Sequence, residues 1–156
     1  MPSPSSPTPS VASYTPRAPY AVGPKEPLGN ARRLMEKYGI RDLPVKAEGK
    51  LVGILSGRDL RLVWSLTHPP PETRTVDEAM TTDPYAVAPG TPLEEVVRVM
   101  LEKDHDAAVV LDEGRIVGVF TPADAMEALV NILEPKRTRT DERTRSAQPR
   151  RGRETR

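Results

Sequence analysis

The sequence of 156 residues contains no cysteine and only one tryptophan and one phenylalanine. Without cysteine it has no disulfide framework, no thiolate zinc site and no cysteine nucleophile. Aromatic residues make up 4% of the chain, which disfavours a stacking platform for single-stranded nucleic acid. No apolar run approaches the roughly 20 residues needed to span a bilayer, and the first ten residues lack the basic and apolar regions of a secretory signal. We therefore expect a soluble, cytoplasmic protein.

Charge is distributed unevenly along the chain, although the formal net charge is only +1. Residues 135–156 carry nine lysines or arginines and three acidic residues, a net charge of +6, so the preceding residues together carry −5. This basic segment holds no aliphatic side chain larger than alanine and is predicted to be a disordered tail. The segment 1–10, rich in proline and serine, is also predicted to be disordered.

The region between these two segments is an internal repeat with a constant offset of 65 residues. YAVGPKEPL at Tyr20 matches YAVAPGTPL at Tyr85, and EGKLVGILSGRD at Glu48 matches EGRIVGVFTPAD at Glu113. The matches need no gap and keep glycine, proline and aspartate in place. We therefore predict two copies of one supersecondary unit: repeat 1 over residues 11–68 and repeat 2 over residues 75–134, joined by a proline-rich connector over residues 69–74.

Each repeat predicts the element order β-α-β-β-α. In repeat 2 a short strand over Tyr85–Val87 precedes a turn, and Thr91 and Pro92 suit the N-cap and the first position of a helix. The apolar segments Ala107–Leu111 and Arg115–Phe120 flank a tight turn and predict a hairpin, after which a last helix follows. One repeat has too little core to be stable alone. We therefore expect an α+β protein in which two repeats pack sheet to sheet with pseudo-two-fold symmetry.

Three motifs are informative through their order, spacing and duplication taken together. They are TVDEAMTTDPYAVAPGTPLEEVVRVM from Thr75, IRDLPV from Ile40, and the pair GILSGRD and GVFTPAD, which share the form Gly-hydrophobic-x-Ser/Thr-x-x-Asp. Together they resemble the cystathionine-β-synthase (CBS) domain, which usually occurs as a tandem pair, the Bateman module. The resemblance covers residues 11–133. It implies a non-enzymatic regulatory module that binds an adenine nucleotide or adenosyl ligand between the repeats and signals to a partner protein.

The Ser/Thr-x-x-Asp motif has two interpretations. Ser56 and Thr121 each follow a predicted strand and open a predicted helix, with Asp59 and Asp124 three positions later. Free N–H groups at a helix start can bind phosphate, and a carboxylate one turn later can accept hydrogen bonds from ribose hydroxyls. The same spacing also fits a capping box, a purely structural device. The sequence leaves both interpretations open.

The resemblance implies two ligand pockets. Pocket 1 would use Ala21, Val22, Ile40, Leu43, Pro44, Ser56, Gly57, Arg58 and Asp59. Pocket 2 would use Ala86, Val87, His105, Ala108, Thr121, Pro122 and Asp124. The candidate regulatory ligands are AMP, ADP, ATP and S-adenosylmethionine, and neither a catalytic cofactor nor a metal is expected. Pocket 1 suits a phosphorylated ligand better, because repeat 2 has Ala123 in place of Arg58 and its Pro122 lacks an N–H group.

By the same resemblance we expect a homodimer, with the apolar helices at Leu60–Leu66 and Met126–Leu133 as its interface. The signal would pass to an unidentified partner protein, since the sequence shows no effector domain. We expect no membrane contact. For the basic tail a solvated segment is favoured over nucleic-acid binding.

The alternative function is a ligand-free scaffold or dimerisation module of the same fold, with nucleic-acid contacts through the basic tail. Two observations would separate the alternatives. An open pocket with Asp59 facing it favours sensing. A pocket filled by Tyr20, Tyr85 or His105 favours the scaffold.

Overall fold

The computed structural model describes residues 8–134, in which the order α-β-β-α occurs twice. The opening strand predicted for each repeat is present in the second half, whereas at the equivalent position of the first half Val22 forms an isolated bridge to Val45. The first half contains α1 (Leu28–Tyr38), β1 (Asp42–Ala47), β2 (Lys50–Ser56) and α2 (Gly57–Leu66). After the short strand β3 (Thr81–Thr82), the second half contains β4 (Ala86–Val87), α3 (Leu93–Glu102), β5 (Ala108–Asp112), β6 (Arg115–Phe120) and α4 (Pro122–Leu133). The predicted α+β class and duplication are confirmed. Of the predicted disorder over residues 1–10 and 135–156, residues 1–7 and 135–156 lie outside the described residues, whereas Pro9 and Ser10 are bonded to the start of the third helix, because Pro9 accepts from the Leu93 N–H and Ser10 bridges Pro92.

Each half is centred on an antiparallel hairpin. Val45 of β1 lies opposite Gly53 of β2, and 65 residues later Val110 of β5 lies opposite Gly118 of β6. Both hairpins turn on a Glu-Gly pair whose φ values lie between 48° and 79°. Positive φ at both central residues is what a tight two-residue hairpin turn requires.

Each half also has an apolar core of its own. In the first half Leu28 of α1 packs with Leu43 and Leu55 of the hairpin, and all three are fully buried. In the second half Val96 of α3 and Phe120 of β6 occupy the corresponding core. Strands β1 and β6 contact each other across the two halves, so the halves pack sheet to sheet.

The segments that lead into the two halves are exchanged between them. Strand β3 pairs with β2 of the first half, and Val76 lies fully buried in that half's core. Conversely, the N–H of Ala18 donates to the carbonyl of Val117 in β6 at 3.0 Å, and Val11 lies in the core of the second half. We call residues 9–18 and 74–82 the exchanged segments. Because each core depends on residues from the other half, the two halves form one packing unit.

Glycine is required where the exchanged segments cross the hairpins. A Cβ atom at Gly118 would lie 2.1 Å from the carbonyl oxygen of Pro16. A Cβ atom at Gly53 would lie 2.6 Å from the sulfur of Met80 and 2.9 Å from the carbonyl oxygen of Thr81. Only a residue without a side chain permits this approach. The crossing at Gly118 holds the first exchanged segment against β6, beside the cleft described next.

Candidate functional site

A cleft of about 760 Å³ lies between the two halves, where β2 and β6 end and α2 and α4 begin. The first exchanged segment and the loop between α1 and β1 complete its walls. A cleft of this volume is in the usual range for sites that bind small molecules. Its lining residues are Pro16, Arg17, Ala18, Tyr38, Gly39, Ile40, Arg41, Asp42, Ser56, Gly57, Arg58, Arg61, Asp106, Val119, Thr121, Pro122, Ala123 and Asp124.

Both helix starts at the cleft are closed by capping boxes. The Ser56 N–H donates to Oδ2 of Asp59 at 2.9 Å, and the Asp59 N–H donates to the Ser56 hydroxyl oxygen at 3.0 Å. The Thr121 N–H and hydroxyl each donate to Oδ2 of Asp124 at 2.9 Å. The aspartates therefore stabilise the first turns of α2 and α4 through one carboxylate oxygen. Within residues 8–134, the other oxygen, Oδ1, accepts no hydrogen bond in either residue.

The residues assigned to pocket 1 divide into two groups. The cleft is lined by Ile40, Ser56, Gly57 and Arg58. Outside its lining lie Ala21, Val22, Leu43, Pro44 and Asp59. Leu43 and Pro44 are fully buried, and Val22 is held in a parallel bridge to Val45. Ile40 and residues 56–58 thus reach the cleft, whereas Leu43 and Pro44 are buried in β1 and Asp59, although at the start of α2, is not part of the lining.

The residues assigned to pocket 2 divide in the same way. Thr121, Pro122 and Asp124 line the cleft, while Ala86, Val87, His105 and Ala108 do not. The His105 ring stacks on Tyr85 with ring centroids 5.2 Å apart. In the first half Tyr20 stacks instead on Tyr38, at 4.3 Å. The two predicted pockets are therefore represented in one shared cleft, which the Tyr85–His105 stack leaves open.

Charged residues that the sequence analysis did not assign also line the cleft. They include Arg17 of the exchanged segment, Arg41, Asp42, Arg61 and Asp106. The sequence contains a signal for three of them. Arg41 and Asp42 are the charged residues within the IRDLPV motif, and Arg61 follows Arg58 by about one helical turn. The position of Arg17 depends on the segment exchange, which the sequence pattern does not reveal.

The cleft carries charge of both signs. Four arginines and three aspartates are among its lining residues, and an ion pair within the cleft joins the two halves: Arg58 Nη1 lies 3.3 Å from Asp106 Oδ2, and both side chains are largely exposed. Burial in first place, and then the negative charges of Asp106 and Asp59, raise the pKa of Asp42 to about 6. A carboxyl group that is partly protonated near neutral pH therefore lies inside the cleft.

The CBS domain profile matches residues 11–65 and 76–131, which together are most of the chain. The chain belongs to the CBS domain family. Among curated proteins, it is 34% identical over 104 residues to inosine-5'-monophosphate dehydrogenase of Korarchaeum cryptofilum, covering 66% of this chain and 21% of that enzyme. It is 31% identical over 130 residues to an uncharacterised protein of Methanocaldococcus jannaschii, covering 75% of this chain and 46% of that protein. The chain thus spans between a fifth and a half of these relatives.

Solved structures of CBS proteins have the same fold. A Vibrio cholerae protein assigned to acetoin utilization is 27% identical with a TM-score of 0.66, and the match covers 91% of this chain and 99% of that one. CBSX2 in complex with AMP matches with a TM-score of 0.66, 23% identity and coverage of 79% and 97%. The CBS pair of protein MJ0100 in complex with 5'-methylthioadenosine and S-adenosyl-L-methionine matches with a TM-score of 0.70, 23% identity and coverage of 81% and 99%.

Two further findings concern the described part of the chain. Over residues 8–134, no helix combines the length and the apolar character needed to cross a membrane. The same residues contain no group of three or more His, Cys, Asp or Glu side chains placed to hold a metal ion.

Proposed function

We propose that this chain is a non-enzymatic regulatory module whose cleft binds an adenine nucleotide or an adenosyl ligand. The observation that carries the proposal is the cleft itself, about 760 Å³ in volume and lined by arginines and helix starts from both repeats. AMP is bound by one solved CBS protein, and 5'-methylthioadenosine and S-adenosylmethionine by another. These ligands share the adenosine group, so adenosine is the chemistry we propose for this cleft.

The first repeat supplies the better site for a phosphorylated ligand. Arg58 is exposed at the helix start beside Ser56 and forms a surface ion pair with Asp106, which a phosphate can replace. Oδ1 of Asp59 is the acceptor we propose for the ribose hydroxyls, reached when the side chain turns toward the cleft and Oδ2 leaves the cap. In the second repeat, Pro122 removes one N–H from the helix start.

The stack of Tyr85 on His105 also favours the first repeat. In the arrangement that the resemblance to CBS domains implies, adenine inserts between the opening strand of a repeat and the residues that precede its central strand. In the second repeat the Tyr85 ring stacks on the His105 ring, with centroids 5.2 Å apart, whereas in the first repeat Tyr20 stacks on Tyr38, which lines the cleft. In the first repeat the equivalent of His105 is Ile40, which lines the cleft and leaves an apolar wall for adenine.

The regulatory output would pass through a change in helix arrangement. A ligand in the cleft contacts both halves, so it favours whichever arrangement of α2 and α4 it fits best. We also propose that the chain is a homodimer that signals to a partner protein. The supporting observation is the exposed apolar surface of α2 and α4, where Leu66 is 74% and Met126 69% exposed.

Isothermal titration calorimetry of the full chain with AMP, ADP, ATP and S-adenosylmethionine tests the ligand proposal. Arg58→Ala should weaken phosphorylated ligands about tenfold or more and affect S-adenosylmethionine less, because it removes a guanidinium partner of phosphate. Arg33→Ala is the matched control, since this exposed arginine on α1 lies outside the cleft lining. Asp59→Ala should weaken binding of every adenosyl ligand at least several-fold.

A ligand-free scaffold remains the second candidate, because the Asp59 carboxylate is used in a cap and lies outside the cleft lining. The same titrations decide between the two. Absence of both heat and thermal shift with all four ligands would overturn the sensor and favour the scaffold.

A further inference from the structure

Asp42 provides an unpaired carboxylate in the wall of the cleft. It is the first residue of β1 and lies opposite Ser56, the last residue of β2 and the N-cap of α2. The Gly57 N–H donates to the carbonyl oxygen of Arg41 at 2.8 Å, which holds the segment before Asp42 against the start of α2. Within residues 8–134 the Asp42 carboxylate forms no hydrogen bond and no ion pair. A group bound at the start of α2 would therefore lie beside a carboxylate that has no other partner.

Three further carboxylates act on Asp42, and each comes from a different part of the fold. Asp106 precedes β5, Asp59 lies in the first turn of α2, and Asp124 lies in the first turn of α4. Burial first, and then the negative charges of these three residues, raise the pKa of Asp42 to about 6, whereas the positive charge of Arg41 lowers it. The charge of Asp42 therefore changes close to neutral pH.

Positive and negative charges in the cleft are nearly balanced. The charged lining residues are Arg17, Arg41, Arg58 and Arg61 against Asp42, Asp106 and Asp124. The net charge of the lining is thus +1 when Asp42 is ionised and +2 when it is protonated. The phenol of Tyr38 also lines the cleft, while His105 is the neighbour of Asp106 in the chain but lies outside the lining. The second repeat has Ala107 at the position of Asp42, so this proton-dependent charge belongs to the first repeat alone.

We propose that Asp42 selects adenosyl ligands by the charge of the group on their 5' carbon. The proposal rests on the adenosyl ligand proposed above and adds the residue that sets which charge is accepted beside the start of α2. An ionised Asp42 repels the phosphate of AMP and attracts the sulfonium of S-adenosylmethionine, whereas a protonated Asp42 does neither. The 5' group of 5'-methylthioadenosine is uncharged, so this ligand should not respond to Asp42.

Binding of a charged ligand is then linked to protonation of Asp42. A bound phosphate raises the pKa of Asp42 above its value in the free protein, so the affinity for AMP falls as pH rises through about 6. A bound sulfonium lowers that pKa, so the affinity for S-adenosylmethionine rises over the same range. A ligand charge that shifts the pKa by about one unit changes the affinity about tenfold between the two limits of pH.

Calorimetric titration of the full chain and of Asp42→Asn with AMP, 5'-methylthioadenosine and S-adenosylmethionine tests the proposal. The neutral amide replaces the protonated carboxyl group, and the comparison cancels the titration of the ligand phosphate and of His105, which both proteins share. At about pH 5 the two proteins should bind each ligand within about twofold of each other. At about pH 7.5 the variant should bind AMP about tenfold more tightly and S-adenosylmethionine about tenfold less tightly, with 5'-methylthioadenosine unchanged.

Asp112→Asn is the matched control, because Asp112 is exposed at the end of β5 and lies outside the cleft lining. It should leave all three affinities unchanged at both pH values, and thermal unfolding first establishes that both variants fold. A parent protein that binds none of the three ligands overturns the adenosyl ligand and the role of Asp42 together. Binding in which Asp42→Asn changes all three affinities equally, or changes them by the same factor at both pH values, overturns the role of Asp42 alone.

Discussion

Gly118→Ala is expected to be among the most damaging single-methyl additions in this protein. The new Cβ would lie 2.1 Å from the carbonyl oxygen of Pro16 and 3.1 Å from Cγ2 of Thr15. The first of these neighbours is backbone and cannot rotate away. To accommodate the methyl group, the exchanged segment must lift off β6, which weakens the hydrogen bond from the Ala18 N–H to the Val117 carbonyl.

The expected loss of stability follows from the packing that the Gly118→Ala substitution disrupts. Forcing one extra carbon into a filled site typically costs about 1–3 kcal/mol, and a clash with backbone places this site at the upper end. Partial detachment of Val11 from the second core adds to it, so we expect about 3 kcal/mol in the free energy of unfolding. For a protein of this size that corresponds to a fall in Tm of about 6–12 °C.

Urea denaturation followed by circular dichroism measures this cost, and two matched controls interpret it. A Cβ atom at Gly23 or Gly90 meets nothing within 4 Å, so Gly23→Ala and Gly90→Ala should change stability by less than about 1 kcal/mol. Gly53→Ala, at the equivalent crossing, should also be destabilising, but less so, because its nearest neighbour is the flexible Met80 side chain. The reasoning is refuted if Gly118→Ala is as stable as Gly23→Ala.

Three further predictions concern the cleft. Because the folded-state pKa of Asp42 is raised from 3.8 to about 6, the native state binds more protons than the unfolded state in this range, and stability should fall as pH rises from about 4 to 6. Asp42→Asn should remove this slope in pH-dependent urea titrations and stabilise the protein at pH 7 by about 1–2 kcal/mol, a figure reduced for partial solvent exposure; an unchanged slope would contradict the assignment. Asp124→Ala should cost about 1–2 kcal/mol in thermal unfolding, because the buried carboxylate accepts two hydrogen bonds from Thr121. Stability equal to the parent would show that the capping box contributes nothing. Deleting residues 135–156 should leave nucleotide affinity unchanged in calorimetry, since the cleft is formed by residues 16–124; a loss of affinity would assign the basic tail to the site.

Local sequence signals predict most of the regular structure. The apolar periodicity predicts helices over Leu28–Tyr38 and Arg58–Leu66, and the structure has α1 at Leu28–Tyr38 and α2 at Gly57–Leu66. The two Glu-Gly turns and their hairpins are confirmed as well. These features depend on contacts within about ten residues of chain, where periodicity and turn chemistry dominate.

The start of α3 was predicted one residue too early, and the reason is tertiary. Thr91 was expected to cap the helix, with Pro92 as its first residue. Instead Pro92 is the N-cap in an extended conformation and bridges Ser10, and the Leu93 N–H donates to the carbonyl of Pro9 at 2.9 Å. The first exchanged segment therefore caps the helix with its own backbone. A side-chain N-cap signal in the sequence cannot reveal a carbonyl supplied from about 80 residues away.

The same exchange explains why residues that the sequence assigns to two pockets line one shared cleft in the structure. An ungapped repeat specifies that each half has the same elements, but not which half receives the segment that precedes them. The first exchanged segment packs on β6 and carries Arg17 to the cleft, which also contains Arg58 of the first half and Thr121 of the second. A ligand bound there would contact a segment that also caps α3 and contributes Val11 to the second core. Contact between a ligand and that segment would therefore be coupled to the packing of α3 and α4, which is what the proposed regulatory module requires.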